Sequence, residues 1–297
     1  MRFIAGLLFA AVVVLPLPIR STSAALVVDS IAFNYSQNFD SLFDTVNPAN
    51  WQNDFTLAGW SLFRINGDTE AAGPVQIQRY EVSDGNSTQG RFYSFGQSPT
   101  ERSLGAIGNP PFGDGISSTP TVGVPVDSAA GWIVASFLNN SGMTLAAFTA
   151  NYTGEQWVNA GTSPQTMEFE YGFGSTFETV SMWTKPTGAP ISFDFTSPKF
   201  TADMGAVPLD GNDAANRTPG LGGTVTNIAW LPGSTLWLRW IERNDMFLDH
   251  ALAIDDFSFS VTAVPEPAAA VFGGATTALA TLVVLTKTVK ANFRKRK

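Results

Sequence analysis

Leu248-Asp249-His250-Ala251-Leu252-Ala253-Ile254-Asp255-Asp256-Phe257-Ser258-Phe259 is the stretch whose parity decides the fold. Leu252 and Ile254 fall on even positions, whereas Phe257, Phe259 and, just beyond, Val261 fall on odd ones. Successive side chains of a strand point to opposite faces, so an unbroken strand cannot bury both sets. Either an extra residue bulges at Asp255-Asp256, or one Asp points inward beside Ala251 and Ala253. Both readings make Ala251 to Ala263 a core strand that holds a carboxylate in or near the core edge. Such a carboxylate needs an Arg, backbone N–H groups or a metal ion beside it.

Working outward, short alternating runs recur, broken by Gly, Pro, Asn and Asp every ten residues or so. No long stretch has helical periodicity. That spacing predicts an all-β protein, a single jelly-roll or lectin-like β-sandwich. Met167-Glu168-Phe169-Glu170-Tyr171-Gly172-Phe173 alternates most clearly, with apolar odd positions and two acids on the other face. Ser234 to Glu242 is a strand apolar on both faces. Gln76 to Val82 reads as one strand, and Phe55 to Ile65 as another with Gly59 a candidate bulge. Trp132 to Leu138 and Thr144 to Asn151 read as a hairpin turned at Asn139-Asn140-Ser141-Gly142. Gln97 to Pro125 reads as loops around one short strand, and Met204 to Gly223 as a polar loop.

The ending Ile254-Asp255-Asp256-Phe257 resembles the last strand of jelly-roll carbohydrate-binding modules and related extracellular sandwiches. In that family such a strand often supplies a structural calcium ligand, with an acidic residue near the first strand close by. The resemblance implies Ca²⁺ at Asp255 and Asp256 with Asp40, and an acidic sandwich has oxygen ligands to offer. Asp210-Gly211-Asn212-Asp213 is a second acidic loop, without the distal Glu of a full calcium loop. Trp157, Trp183 and Trp132 flank loops; Trp157 and Trp183 are the residues expected to stack on a sugar ring. Glu168 and Glu170 share a face about 7 Å apart, a spacing that fits inverting glycosidases. They resemble part of the acid motif of sandwich-fold endoglucanases, but the third acid is missing. His250 is the only histidine, and no Gly-x-Ser-x-Gly accompanies it. Asn34, Asn86, Asn139, Asn151 and Asn216 each head an Asn-x-Ser/Thr sequence.

Two apolar segments bracket this region. Arg2, the apolar run Phe3 to Leu17 and the small residues Ser21 to Ala25 form the pattern of a cleaved secretory signal over 1–25. Residues 26–263 are the β-sandwich. Pro265-Glu266-Pro267 opens the tail, 264–297. An uncharged run from Ala268 to Leu285 follows, then Lys287, Lys290, Arg294, Lys295, Arg296 and Lys297. As a helix the run Ala268 to Leu285 spans roughly 27 Å, close to the hydrocarbon thickness of a bilayer, and a transmembrane helix is expected over 268–286. The basic end stays on the cytoplasmic side. The tail resembles the PEP-CTERM sorting signal of bacterial exported proteins. The resemblance implies an exosortase-type processing enzyme as partner, anchoring in the inner membrane during transit, and display on the cell surface or in extracellular matrix.

Between the segments, nine Lys and Arg stand against 24 Asp and Glu, a net charge of −15. Such a surface repels nucleic acid and anionic lipid, and suits divalent cations or neutral polysaccharide. The chain has no cysteine, which removes disulfides, thiolate catalysis and Cys-ligated zinc. The expected function is a non-enzymatic, exported surface or matrix protein whose sandwich binds carbohydrate or a matrix neighbour. The alternative is an exported glycoside-active enzyme of the lectin-like sandwich class.

Overall fold

The computed structural model describes residues 25–43, 45–67, 73–114, 123–187, 192–201 and 205–263. The expected signal segment 1–25 (Ala25 apart) and the Pro265-Glu266-Pro267 tail with the membrane helix expected over 268–286 lie outside these residues. Among the described residues no helix is long and apolar enough to cross a membrane.

Among the described residues sixteen strands follow in chain order. They are β1 (Leu26–Val28), β2 (Asn34–Gln37), β3 (Ala49–Asn50), β4 (Trp60–Ile65), β5 (Pro74–Gln76), β6 (Arg79–Ser83), β7 (Arg91–Ser98) and β8 (Glu101–Ile107). Then come β9 (Ala129–Asn139), β10 (Leu145–Asn159), β11 (Thr166–Phe173), β12 (Phe195–Thr196), β13 (Val207–Pro208), β14 (Arg217–Val225), β15 (Thr235–Arg243) and β16 (Ala251–Ala263). They form two sheets. The seven-stranded sheet runs β12-β11-β15-β9-β4-β5, with β1 on β9 beside β4. The nine-stranded sheet runs β13-β10-β16-β8-β7-β6-β3, with β14 on β10 and β2 on β16. The all-β two-sheet sandwich expected from the spacing of the runs is therefore present.

The bulge is where parity requires it. On β10 and β16, Asn151 pairs with Ser258 and Thr153 with Asp255, so β16 spends one more residue than β10 over this step. The extra residue is Asp256, which adopts a left-handed φ of 50°, a conformation that Asp tolerates better than bulky residues. Leu252 and Ile254 before it, and Phe257, Phe259 and Val261 after it, all reach the same core. At the centre of that core Trp60 stacks on Trp240 at 5.8 Å, and Phe257 sets its edge against both, at 5.3 and 5.5 Å. Each such aromatic pair adds about 0.5–1.5 kcal/mol beyond its buried area.

Several sequence expectations are corrected. Trp132–Leu138 and Thr144–Asn151 do not form a hairpin. β9 lies in one sheet and β10 in the other, because β9 already has β15 and β4 as neighbours and β10 has β16 and β14. The Asn139–Gly142 turn is instead a corner between sheets. Buried Asn139 fastens it by donating to the carbonyls of Met143 and Trp230, each at 2.9 Å. Gln76 to Val82 is likewise two strands, β5 and β6, in different sheets; buried Ile77 is the crossing point. The strand expected from Phe55 starts only at Trp60, with Phe55 79% exposed. Gly59 is not a bulge but a turn residue at φ 78°, where a Cβ would strike the side chain of Leu26. The short strand expected within Gln97 to Pro125 is present as β8, which pairs with both β16 and β7, whereas Met204 to Gly223, expected to be a polar loop, carries β13 and most of β14.

Deleting Asp256 would turn Phe257, Phe259 and Val261 outward, whereas Asp256→Gly keeps the count and eases the backbone. The expected result is no cooperative melting for the deletion, and a change of less than about 1 kcal/mol for Asp256→Gly. Thermal melts followed by near-ultraviolet circular dichroism check this; a deletion variant that melts like the parent would refute the bulge.

Candidate functional site: two unlike outer faces

Seven of the eight tryptophans are buried, among them Trp132 and Trp157; Trp183 alone is partly exposed. It sits on the outside of the seven-stranded sheet. Residues 174–187 cross that face, with Phe177 packed between Phe63 at 4.5 Å and Trp183 at 5.3 Å. Gly172 lets the segment lie flat: a Cβ there would come within 2.4 Å of Val180 and 2.7 Å of the Met182 carbonyl. The Arg239 guanidinium lies 4.0 Å from the centre of the Trp183 ring, a favourable cation–π contact. Beside it Met182 is 72% exposed.

Charged groups border this ring in a chain. Glu170 accepts two bonds from Arg239, at 2.8 and 2.5 Å. Glu168 accepts from Lys185 at 2.7 Å and from Arg243 at 2.7 Å. Lys185 also lies 3.7 Å from Asp194. Burial works against ionisation of Glu168, but the Lys185 and Arg243 hydrogen bonds outweigh it and hold its pKa below the ordinary value. The shared face of Glu168 and Glu170 is as expected. The structure adds that each carboxylate is tied up by cations, and that Glu168 is held in its ionised form, the opposite of a general acid.

Trp157 lies on the outside of the other sheet, under cover. Its indole stacks on Phe95 at 5.8 Å, and Nε1 donates to Ser103 Oγ at 2.9 Å and Glu155 Oε2 at 3.0 Å. Gly211 closes over the ring, where a Cβ would fall 2.4 Å from ring atoms. Trp157 is fully buried, so the expectation that it stacks on a sugar is corrected: both ring faces belong to the protein. The turn Asp210–Asp213 serves this cover. Asn212 N–H donates to Asp210 Oδ1 at 3.1 Å, and Asn216 Nδ2 donates to the Asp210 carbonyl at 2.7 Å.

Asp40, Asp255 and Asp256 are not drawn into one ligand set. Asp40 accepts from Arg102 N–H at 2.9 Å and Asn38 Nδ2 at 2.6 Å. Asp255 is buried and accepts from Asp256 N–H at 2.7 Å, while the Asp256 side chain is exposed. Among the described residues no three His, Asp or Glu side chains are disposed to hold a metal ion. The sequence reading missed Glu155, the buried neighbour of Asp255. Its signal was a lone acid two residues before Trp157, on the same strand face. Burial first, and Glu155 second, push Asp255 up to about 9. Burial also raises Glu155, whose Oε1 has no hydrogen-bond partner among the described residues.

His250 is structural. Nδ1 accepts from the N–H groups of Ala160 and Gly161, at 3.0 and 3.3 Å, and Nε2 faces the Ser163 carbonyl at 3.2 Å. Burial lowers its pKa, so the ring is neutral. Among the described residues no hydrogen bond joins the Asp249 carboxylate to this ring; Asp249 accepts from Asp245 N–H at 2.8 Å, and burial followed by Asp245 raises it to about 8. Of the five Asn-x-Ser/Thr asparagines, Asn139 and Asn216 are buried in hydrogen-bonded positions.

No protein-family model and no curated protein sequence matches this chain. In structure it is similar to carbohydrate-binding-module sandwiches. One is the CBM22-1 xylan-binding domain from Paenibacillus barcinonensis Xyn10C, at 12% identity and TM-score 0.34, covering 80% of this chain and 99% of that one. Another is TmCBM61 in complex with beta-1,4-galactotriose, at 11% identity and TM-score 0.25, covering 72% and 99%.

The buried acids set a pH dependence. Asp255 releases its proton near 3.8 in the unfolded chain but near 9 when folded, so across that window the unfolded state binds fewer protons and stability falls as pH rises. Asp249 acts the same way up to about 8. The domain is expected to melt at a higher temperature at pH 5 than at pH 8. Asp255→Asn should flatten that slope, as scanning calorimetry at several pH values can measure; an unchanged slope would show that Asp255 ionises freely.

Proposed function

We propose that this chain is an exported surface or matrix protein, sorted through Pro265-Glu266-Pro267 and its membrane helix, whose sandwich binds extracellular polysaccharide without turning it over. The observation that carries the binding half is Trp183, the one tryptophan left partly exposed. A flat apolar ring stacks on the C–H face of a sugar, and the bordering groups supply donors and acceptors for its hydroxyls. Lys185, with a side chain 44% exposed, and Asp194, 33% exposed, are placed to do this. The pairing of Glu168 and Glu170 with cations supports binding rather than hydrolysis. The sorting half rests on the order of the Pro-Glu-Pro tripeptide, the apolar run and the basic end.

Trp183→Ala should weaken binding to soluble neutral polysaccharide by about tenfold or more, with the melting temperature reported alongside. Affinity electrophoresis of the full-length protein reads this out, and equal retardation of the variant and the parent would remove Trp183 from the site. For sorting, mass spectrometry of the mature protein should find the tail cut near residue 265 in cells with exosortase activity and intact in cells without it. An intact tail in both would leave an ordinary anchor.

A further inference from the structure

The outer face of the nine-stranded sheet is divided at the Asp256 bulge. On one side Ala251, Ala253, Asp255, Glu155 and Trp157 are buried. On the other side the face is open. There the strand registers align Asn34, Ser260, Thr149 and Thr224 in one row and Ser36, Ser258 and Asn151 in the next, across β2, β16, β10 and, at Thr224, β14. All seven are partly or fully exposed, while Phe148, Phe257 and Phe259, of opposite parity, fill the core.

Neither row holds a charged side chain, in a domain of net charge −15. A groove of about 350 Å³ runs over the rows, lined by Asn34, Ser36, Thr149, Asn151, Ser258 and Ser260. Thr149 and Thr224 share a hydrogen bond of 2.7 Å. The side chains of Ser36, Asn151, Ser258 and Ser260 form no hydrogen bond with other described residues. Their capacity is turned to whatever occupies the groove.

We propose that this groove is a second polysaccharide site, on the sheet opposite Trp183, that takes a neutral glycan chain, so that one sandwich bridges two chains. This rests on the reading of the protein as a polysaccharide binder. Hydroxyl and amide groups both donate and accept, as sugar hydroxyls do. With no ionised group in the rows, the groove gains nothing from an anionic or a cationic polymer. Strands about 4.8 Å apart and same-face residues about 6.8 Å apart make a regular grid on which a run of sugar rings can bond repeatedly. The volume falls in the range of about 300–1,000 Å³ usual for small-ligand sites. The two sites face away from each other, so a short oligosaccharide cannot fill both. A long polymer or two separate chains can, and that converts weak single contacts into avidity.

The test uses the full-length protein with soluble neutral glucans, xylans and galactans and their short oligosaccharides. Calorimetry should give two oligosaccharide sites per chain, and light scattering should show growing particles with the long polymers. Replacing Asn151 and Ser258 together by Ala should leave one site, abolish particle growth and retain the Trp183-dependent site. The groove site should change less than about twofold between low and high salt. One site in the parent protein, untouched by the double variant, would overturn the groove while leaving the binding reading intact. No binding by the parent to any of the polymers would overturn that reading, and the groove with it. A second variant, Ser260→Ala with Ser36→Ala, guards against misfolding: loss of the second site in both, with unchanged melting, assigns it to the groove.

Discussion

One residue held at φ 50°, Asp256, is the constraint on which both faces of β16 depend. Inward, it shifts the parity so that Leu252, Ile254, Phe257, Phe259 and Val261 all feed the same core. Outward, it shifts the parity the other way. Before the bulge the outward set is Ala251, Ala253 and Asp255, buried beside Trp157. After it the outward set is Ser258, Ser260 and Thr262, which stay open. A strand without the extra residue could satisfy only half of the core, at a cost of about 3–5 kcal/mol for each large aromatic lost.

The clearest strands in the sequence carry their own signal: alternation in β11, apolar residues on both faces of β15, and the break of parity in β16. What sequence could not supply was which strand lies beside which. β9 and β10 are joined by only five residues, with Asn140, Ser141 and Gly142 among them, and look like a hairpin locally, yet each finds its neighbours far along the chain. Nothing in the segment itself encodes that preference; the competing partners do. The two tryptophan expectations divide for the same reason. Trp157 is covered by Gly211, and Trp183 lies over Gly172 beside Arg239. Which indole ends up covered depends on where a distant glycine permits a segment to close, and a list of loop-flanking tryptophans holds no such information. The outward Ser and Thr of β16 are plain in the sequence as residues, but only the strand registers place them in rows with Asn34, Ser36, Thr149 and Asn151.

The acidic surplus is handled differently on the two sheets. On the seven-stranded sheet, Glu168 and Glu170 are paired with Lys185, Arg243 and Arg239. Beneath the other sheet's cover, Glu155 and Asp255 form no ion pair among the described residues, and burial favours their protonated forms. Asp249 is pushed up to about 8, and Glu242 well above its ordinary value, in the same way. The formal −15 therefore overstates the charge that the folded domain presents at neutral pH. An acid kept neutral by burial repels nothing, but it makes the fold depend on pH.

That distribution bears on what the surface can recognise. Ionised groups near Trp183 are paired at short range, and a paired charge has a weak long-range field in salt. The groove face holds no charge in either of its rows. Long-range attraction for a charged polymer is then supplied by neither face, and recognition has to come from contact: a ring on one side, a lattice of hydroxyls and amides on the other. A neutral polysaccharide offers those contacts in repeating form, with apolar C–H faces alternating with hydroxyl edges. The two outer faces, unlike in composition, match the two kinds of surface that such a polymer presents.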